Sequence, residues 1–233
     1  MDIGKAFGFV FEDERWITKV LIGGLLVWIP IVNFAVFGYM LKVAENVAKG
    51  SSTPLPEWSD FGDLFMRGLY YVIIYIVYSL PSIIVSCIFG VIQGGLTASA
   101  DQSSDAAAGG VVLLACIGNI ITLVLSIGTM FVLYPALARY VATGSLSEAF
   151  KFGEVFSSAR ANVSTWVMVI LVAILAGLVG SLGLIACVIG VIFTLFYAQV
   201  VQGHVLGQAI VKTGLLPAYG DTPAPYVPPT SYQ

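Results

Sequence analysis

Long uncharged segments dominate the pattern of hydrophobic and polar positions along the chain. Four stretches contain no Asp, Glu, Lys or Arg and hold 22, 33, 33 and 51 residues: 20–41, 68–100, 106–138 and 161–211. At about 1.5 Å per residue, the longest would form a helix of roughly 77 Å, whereas a bilayer's hydrocarbon core is about 30 Å thick. That stretch is therefore predicted to cross twice, turning at 180–183. Each 33-residue stretch fits one tilted crossing, with an outer loop at 97–110.

The first stretch is interrupted by Pro30, which lacks a backbone donor and disfavours helical geometry in the residue before it. One kinked helix would give five membrane segments, whereas a hairpin turn at Pro30 would give about six. In the hairpin arrangement all ten basic residues share one side, and the outer connections carry only Asp101 and Asp105. We favour the hairpin because of the positive-inside rule, which also predicts cytoplasmic termini in the cell membrane. The two arms of this hairpin are too short to cross the membrane fully unless the second arm also includes Lys42 and Glu45. A re-entrant hairpin that enters the membrane only partly is therefore an alternative.

A repeated unit is indicated by two similar segments, Phe61–Phe65 (FGDLF) and Phe152–Phe156 (FGEVF). The repeat predicts three interfacial amphipathic helices, each followed by a helical hairpin, at about 3–14, 58–66 and 146–157. The first of these has one apolar stripe with the spacing i, i+3, i+4, i+7 and i+8, formed by Ile3, Ala6, Phe7, Val10 and Phe11.

Composition supports the same fold class, because 58% of the residues are hydrophobic and only 10% are charged, with a net charge of −3. Soluble domains average about 25% charged residues. The low charge argues against an ordinary soluble enzyme, a disordered chain and a nucleic-acid binder with a basic face. We therefore predict an all-α integral membrane protein. A single polytopic domain at 1–212 is followed by a Pro/Tyr-rich, disordered cytoplasmic tail at 213–233.

Few polar side chains fall within the predicted membrane segments, and they are the candidates for function. Ionisable groups inside a membrane span are functional candidates by default, and His204 is the chain's single histidine. The alternative, which we favour, is a structural hydrogen bond beside a close helix contact at Gly203 and Gly207. The candidate intramembrane polar site comprises His204, Gln208, Gln202, Glu45 and Asn119.

Catalytic and metal-binding patterns are not evident in the sequence. Ser181 lies at a predicted outer turn, about 30 Å along a continuous helix from His204, too far for a nucleophile and its base. The cysteines are isolated inside membrane segments without metal-ligand spacing: Cys87, Cys116 and Cys187. We therefore predict no enzyme activity, no metal and no cofactor. A tyrosine stripe in the third segment has the spacing typical of packing: Tyr71, Tyr75 and Tyr78.

Several short motifs resemble those of an uncharacterised family of bacterial and archaeal membrane proteins. The motifs are MDIGKAF at 1–7, IPIV at 29–32, Gly38-Tyr39, LPEW at 55–58, DFG at 60–62, and His204 with Gly207-Gln208. Over about residues 1–212 the chain resembles the domain-of-unknown-function family 4013. The resemblance implies a polytopic α-helical membrane protein and brings no established activity or catalytic residues.

Two classes of function follow from these observations. The first is a non-catalytic accessory or organising protein that binds membrane lipid, other integral membrane proteins or a second copy of itself, and no nucleic acid. The second is a small-solute transporter or channel with a polar site near His204. We favour the first, because charged groups are missing from the membrane interior.

Overall fold

The computed structural model describes residues 1–99, 105–183 and 187–216, which are mostly α-helical and contain no strand. The all-α prediction is confirmed. The α-helices of the described residues are α1 (Ile3–Gly8), α2 (Trp16–Val27), α3 (Phe34–Ala48), α4 (Phe61–Ser99), α5 (Asp105–Thr143), α6 (Leu146–Ala149), α7 (Phe152–Ala161), α8 (Val163–Leu182) and α9 (Cys187–Lys212). Two 3₁₀ turns, Phe9–Glu12 and Trp58–Asp60, precede α2 and α4.

Four described helical segments are long and apolar enough to cross a membrane: Trp58–Ala98, Gly109–Thr143, Val163–Leu182 and Gly190–Lys212. They correspond to the uncharged stretches of the sequence, including the two crossings predicted for the longest one, where α8 ends at Leu182. The count of about six membrane segments stays a prediction. The tip of the outer loop, 100–104, and most of the predicted tail, 217–233, lie outside the described residues.

Residues 20–41 form two short helices rather than one kinked helix. α2 ends at Val27 and α3 begins at Phe34, and Ile31 in the turn between them has a φ of 70°. The helices contain 12 and 15 residues, which makes them about 18 and 22 Å long, shorter than the hydrocarbon core. Both arms pack on α9 more extensively than on each other.

The centre of the bundle is α3, which is enclosed by α4 on one side and α9 on the other. α3 and α4 approach closely where Gly38 faces Gly68, because a Cβ at either position would overlap a backbone carbonyl of the other helix. On the opposite side, Gly203 and Gly207 of α9 lie against backbone carbonyls of α3. The predicted close helix contact at these two glycines is therefore present, as expected of small residues between membrane helices.

The predicted interfacial helices differ from the observed elements. Segment 58–66 is not a separate helix, because its 3₁₀ turn continues directly into α4. Segment 146–157 is divided between α6 and α7, with Phe150 and Lys151 between them. Segment 3–14 comprises α1 and a 3₁₀ turn, and it buries Ala6 and Val10 completely. The three-copy repeat stays a prediction.

The α4–α5 hairpin extends beyond the rest of the bundle. Each helix has 39 residues and is about 58 Å long, whereas the 26 residues of α9 reach only about 39 Å. Among the described residues of 83–130, Gly118 alone is buried, where it contacts the Phe89 ring of the other helix. We call residues 83–130 the distal hairpin. Its outward side chains are large and apolar: Ile84, Ile88, Val91, Ile92, Val112, Leu113, Ile117 and Ile120.

Most charged side chains lie at the opposite end of the bundle, which we call the charged end. The backbone of Asp2 bonds to the Gln208 side chain here, so the N-terminus lies beside the end of α9. α4 and α5 run antiparallel, as do α8 and α9, so the start of α4 and the end of α5 share this end. Ion pairs join the elements here: Lys19 with Asp13 and Glu57, Arg67 with Glu45, and Arg139 with Glu148.

Candidate functional site

His204 and Gln208 lie one helical turn apart on α9 and hold the N-terminal segment. The Gln208 amide accepts a hydrogen bond from the Asp2 backbone N–H at 2.6 Å and donates to the Asp2 carbonyl at 2.9 Å. Its nitrogen also lies 3.0 Å from His204 Nδ1. Since an amide nitrogen only donates, Nδ1 is the acceptor in this pair. The pair therefore clamps the main chain of the N-terminus.

The space around His204 is filled by protein. His204 is only 2% exposed, and its ring lies 4.3 Å from the Phe9 ring, measured between centroids. A second tether is the hydrogen bond that the Tyr197 hydroxyl donates to the Phe7 carbonyl at 2.6 Å. In the described structure, the His204 side chain is therefore packed within the protein and hydrogen-bonded to Gln208.

The other three predicted site residues lie apart from this pair. The Glu45 carboxylate belongs to an ion-pair group with Lys42, Lys49 and Arg67, the last at 2.8 Å. Asn119 is exposed on the distal hairpin, where its amide donates to a carbonyl of its own helix at 2.8 Å. Gln202 faces a different space, between α4 and α5. Of the five residues, the structure brings together only His204 and Gln208.

Gln202 marks a cleft of about 400 Å³ between α4 and α5. Its side-chain oxygen accepts a hydrogen bond from the Tyr134 hydroxyl at 3.3 Å, at the end of the cleft nearer the charged end. Met40 of α3 adds an apolar contact there. The volume falls within the range of about 300–1,000 Å³ that is typical of small-molecule sites.

Hydroxyl side chains line both long walls of the cleft. Those on α4 recur every three or four residues, which places them on one helix face: Tyr71, Tyr75, Ser79, Ser82 and Ser86. Those on α5 face them: Thr122, Ser126, Thr129 and Tyr134. Sequence reasoning noticed the tyrosines but missed the cleft. The missed signal is that the serines continue the tyrosine stripe for about three more helical turns.

Only some of these hydroxyls are used within the protein. Ser82 and Thr129 bond to each other across the cleft at 3.0 Å, and Ser126 donates to the carbonyl of Thr122 at 2.8 Å. Ser79 is 5% exposed and faces the cleft, and its hydroxyl has no hydrogen bond to any described residue. A hydroxyl that faces a cleft and has no partner within the described protein is free to bond to a ligand, so Ser79 is a candidate binding group.

The cleft lining contains no charged side chain and no histidine. Among the described residues, no group of three or more His, Cys, Asp or Glu side chains could hold a metal ion. The lining therefore offers neutral donors and acceptors, and its chemistry suits hydrogen bonding to an uncharged group.

The ion pairs at the charged end hold neighbouring segments of the chain together. Lys19 is 4% exposed, and its ammonium contacts Asp13 at 2.7 Å, Glu57 at 2.9 Å and the Leu55 carbonyl at 3.0 Å. Desolvation alone would raise the pKa of Asp13. Hydrogen bonds from Lys19 and the Arg15 backbone, with the charges of both residues, outweigh it and hold that pKa below its usual value. These contacts fix the start of α2 against the segment before α4.

Comparison with known proteins identifies the family. The family described as protein of unknown function (DUF4013) matches residues 22–204, well over half of the chain. The match contains the whole cleft and ends at His204, which agrees with the resemblance noted in the sequence. No curated protein and no solved structure matches the chain. The chain therefore belongs to the DUF4013 family.

Proposed function

We propose that the protein is a non-catalytic accessory or organising component of the cell membrane that binds another membrane protein along its distal hairpin. Both termini lie in the cytoplasm in this proposal, because the basic residues gather at the charged end. The observation that carries the proposal is the length and exposure of the α4–α5 hairpin.

The hairpin is too long to be covered by lipid chains in an ordinary orientation. The uncharged part of α4, from Gly68 to Ser99, is about 48 Å long. Fitting it into a core of about 30 Å requires a tilt of about 50°, and membrane helices tilt by about 0–40°. A protein partner along the distal hairpin covers the excess apolar surface without this tilt.

The surface of the distal hairpin also suits helix association. Exposed side chains such as Val91 (76% exposed) and Val112 (61%) alternate with glycines on this surface. The surface is open at Gly90 and Gly94, because a Cβ added at either position would meet no described atom within 4 Å. Small residues let the backbone of a second helix approach closely. The exposed surface of this hairpin thus carries glycines, as does the surface of α9 that packs against α3.

A small-solute transporter or channel is the second candidate, and the hydroxyl-lined cleft is the observation that favours it. The predicted polar site near His204 offers no space for a solute, because the N-terminal segment packs against it. The cleft lining offers no Asp, Glu, His, Lys or Arg side chain for coupling to a proton or sodium gradient. We therefore place transport second.

Site-specific photocrosslinking tests the proposal. A benzophenone side chain is introduced at Val91, at Val112 and, as the control, at Leu178 of α8, which is similarly exposed at 58%. In native membranes we expect protein adducts at the two hairpin positions and lipid adducts alone at Leu178. A second copy of the chain as the adduct would identify a homo-oligomer. Lipid adducts alone at all three positions, together with solute flux in proteoliposomes, would favour transport.

A further inference from the structure

We infer that the hydroxyl-lined cleft binds the uncharged, hydroxyl-bearing head of a neutral glycerolipid, with diacylglycerol as the simplest example. This inference is independent of the protein partner proposed for the distal hairpin. It rests on three features of the cleft: unpaired hydroxyls, the absence of charge from its lining, and its opening at the lipid-facing surface.

The unpaired groups are spread along the cleft wall. Tyr71, Tyr75, Ser79, Ser86 and Thr122 line the cleft, and none of their hydroxyls bonds to a described residue. Within the hydrocarbon region there is little water to satisfy such groups. A ligand that carries two or more hydroxyl or ester oxygens would satisfy several of them at once.

The absence of charge selects among lipid heads. A phosphate or an ammonium group moved into this cleft would lose its hydration and find no opposite charge in the lining, which is strongly unfavourable. A neutral head with hydroxyl groups loses much less, because each of its groups finds a hydroxyl partner. The lining therefore favours neutral glycerolipids over phospholipids.

The cleft also fits the apolar part of such a lipid. Ile83, Met130 and Leu133 contribute apolar surface beside the hydroxyls. Tyr75 and Ile83 at its rim are 46% and 45% exposed, so the cleft reaches the surface that faces lipid chains. A head can thus occupy the cleft while its chains stay in the bilayer. A free polyol such as glycerol shares the head's chemistry but lacks this anchor.

Photoaffinity labelling in nanodiscs tests the inference. The probe is a diazirine-bearing diacylglycerol in phosphatidylcholine nanodiscs, with the labelled peptides identified by mass spectrometry. Competitors are dioleoylglycerol, free glycerol and phosphatidylglycerol. The test variant is Ser79→Ala. The matched control is Ser126→Ala, which removes a hydroxyl from the same cleft that is already bonded to its own helix.

We expect saturable labelling of residues 71–87 and 122–134 that dioleoylglycerol displaces and phosphatidylglycerol does not. Ser79→Ala should weaken apparent affinity about tenfold, because it removes one hydrogen bond to the head, while Ser126→Ala changes it less than about twofold. Unchanged melting temperatures in both variants show that they fold. Equal competition by phosphatidylglycerol, displacement by free glycerol alone, equal loss in both variants, or labelling elsewhere overturns the inference. None of these results bears on crosslinking at Val91.

Discussion

Replacing Gly207 with alanine tests the close contact between α3 and α9. A Cβ at this position would lie 2.6 Å from the Ala44 carbonyl oxygen and 2.6 Å from the Val47 Cβ. Neither atom can rotate away, because the Ala44 oxygen belongs to the backbone and the Val47 Cβ is bonded directly to the backbone of its own residue. Ordinary contacts between such atoms lie at about 3.5–4.0 Å, so the helices must separate by about 1 Å. A gap of that size forfeits a quarter to a half of the local dispersion energy.

The expected change in the free energy of unfolding combines two effects. Overpacking of this kind costs about 1–3 kcal/mol, whereas removing a glycine from a helix interior contributes about 1 kcal/mol in the opposite direction. Gly177→Ala is the matched control, since no described atom lies within 4 Å of a Cβ added there. The Gly177→Ala variant should therefore gain the stabilisation from removing a glycine without the cost of overpacking. The two variants should therefore differ by about 1–3 kcal/mol.

Reversible unfolding in mixed micelles, followed by far-ultraviolet circular dichroism, measures both variants under the same conditions. We expect Gly207→Ala to be less stable than Gly177→Ala by the difference given above. Equal stability of the two variants would mean that α3 and α9 do not pack closely at Gly207, and the reasoning would be refuted.

Two further predictions concern contacts at the charged end. Gln208→Leu removes both hydrogen bonds to Asp2. The free energy of opening the N-terminal segment should fall by about 2 kcal/mol, so amide exchange across residues 3–12 should accelerate by roughly 30-fold. Exchange that stays at the wild-type rate would contradict the clamp. Because the pKa of Asp13 is lower in the folded state, its contribution to stability is present above the usual value of 3.8 and is lost as the pH falls through the folded value. Wild type should lose stability below about pH 4, and Asp13→Asn should show a flatter dependence there; parallel curves would contradict the Asp13–Lys19 pairing.

The long membrane helices could be predicted because their cause is local. A helix must keep charged groups out of the hydrocarbon, so the uncharged stretches alone indicate where α4, α5, α8 and α9 lie. The break at Pro30 follows from the missing N–H and the ring of proline, which act on the nearest residues. The contact at Gly203 and Gly207 follows from small residues one turn apart, which recur where membrane helices touch.

The elements that could not be predicted depend on distant parts of the chain. Gln208 bonds to a residue 206 positions away, and no local pattern indicates that partner. The cleft forms where Ser82 meets Thr129, so its position depends on the register between α4 and α5. Segment 58–66 has an amphipathic pattern that is compatible with a separate helix or with the first turns of a long one. Hydrophobic periodicity does not distinguish these alternatives, because both bury one face.

The molecule has two structurally different parts, the charged end and the distal hairpin. Ion pairs and the N-terminal clamp fix the short helices around α3 at one end, where Arg67 joins α4 to α3 through Glu45. The hairpin extends away from this end with hydroxyls facing inward and apolar side chains facing outward. This division into a charged base and an apolar hairpin is what the proposed binding role requires.

The orientation of the charged end is the central claim, and cysteine labelling in intact cells tests it most directly. In a background without Cys87, Cys116 and Cys187, single variants Arg160→Cys and Ser181→Cys are treated with a membrane-impermeant maleimide. We predict that Ser181→Cys reacts from outside, whereas Arg160→Cys reacts only after the membrane is permeabilised. Labelling of Arg160→Cys in intact cells, with Ser181→Cys protected, would contradict the cytoplasmic placement of the charged end.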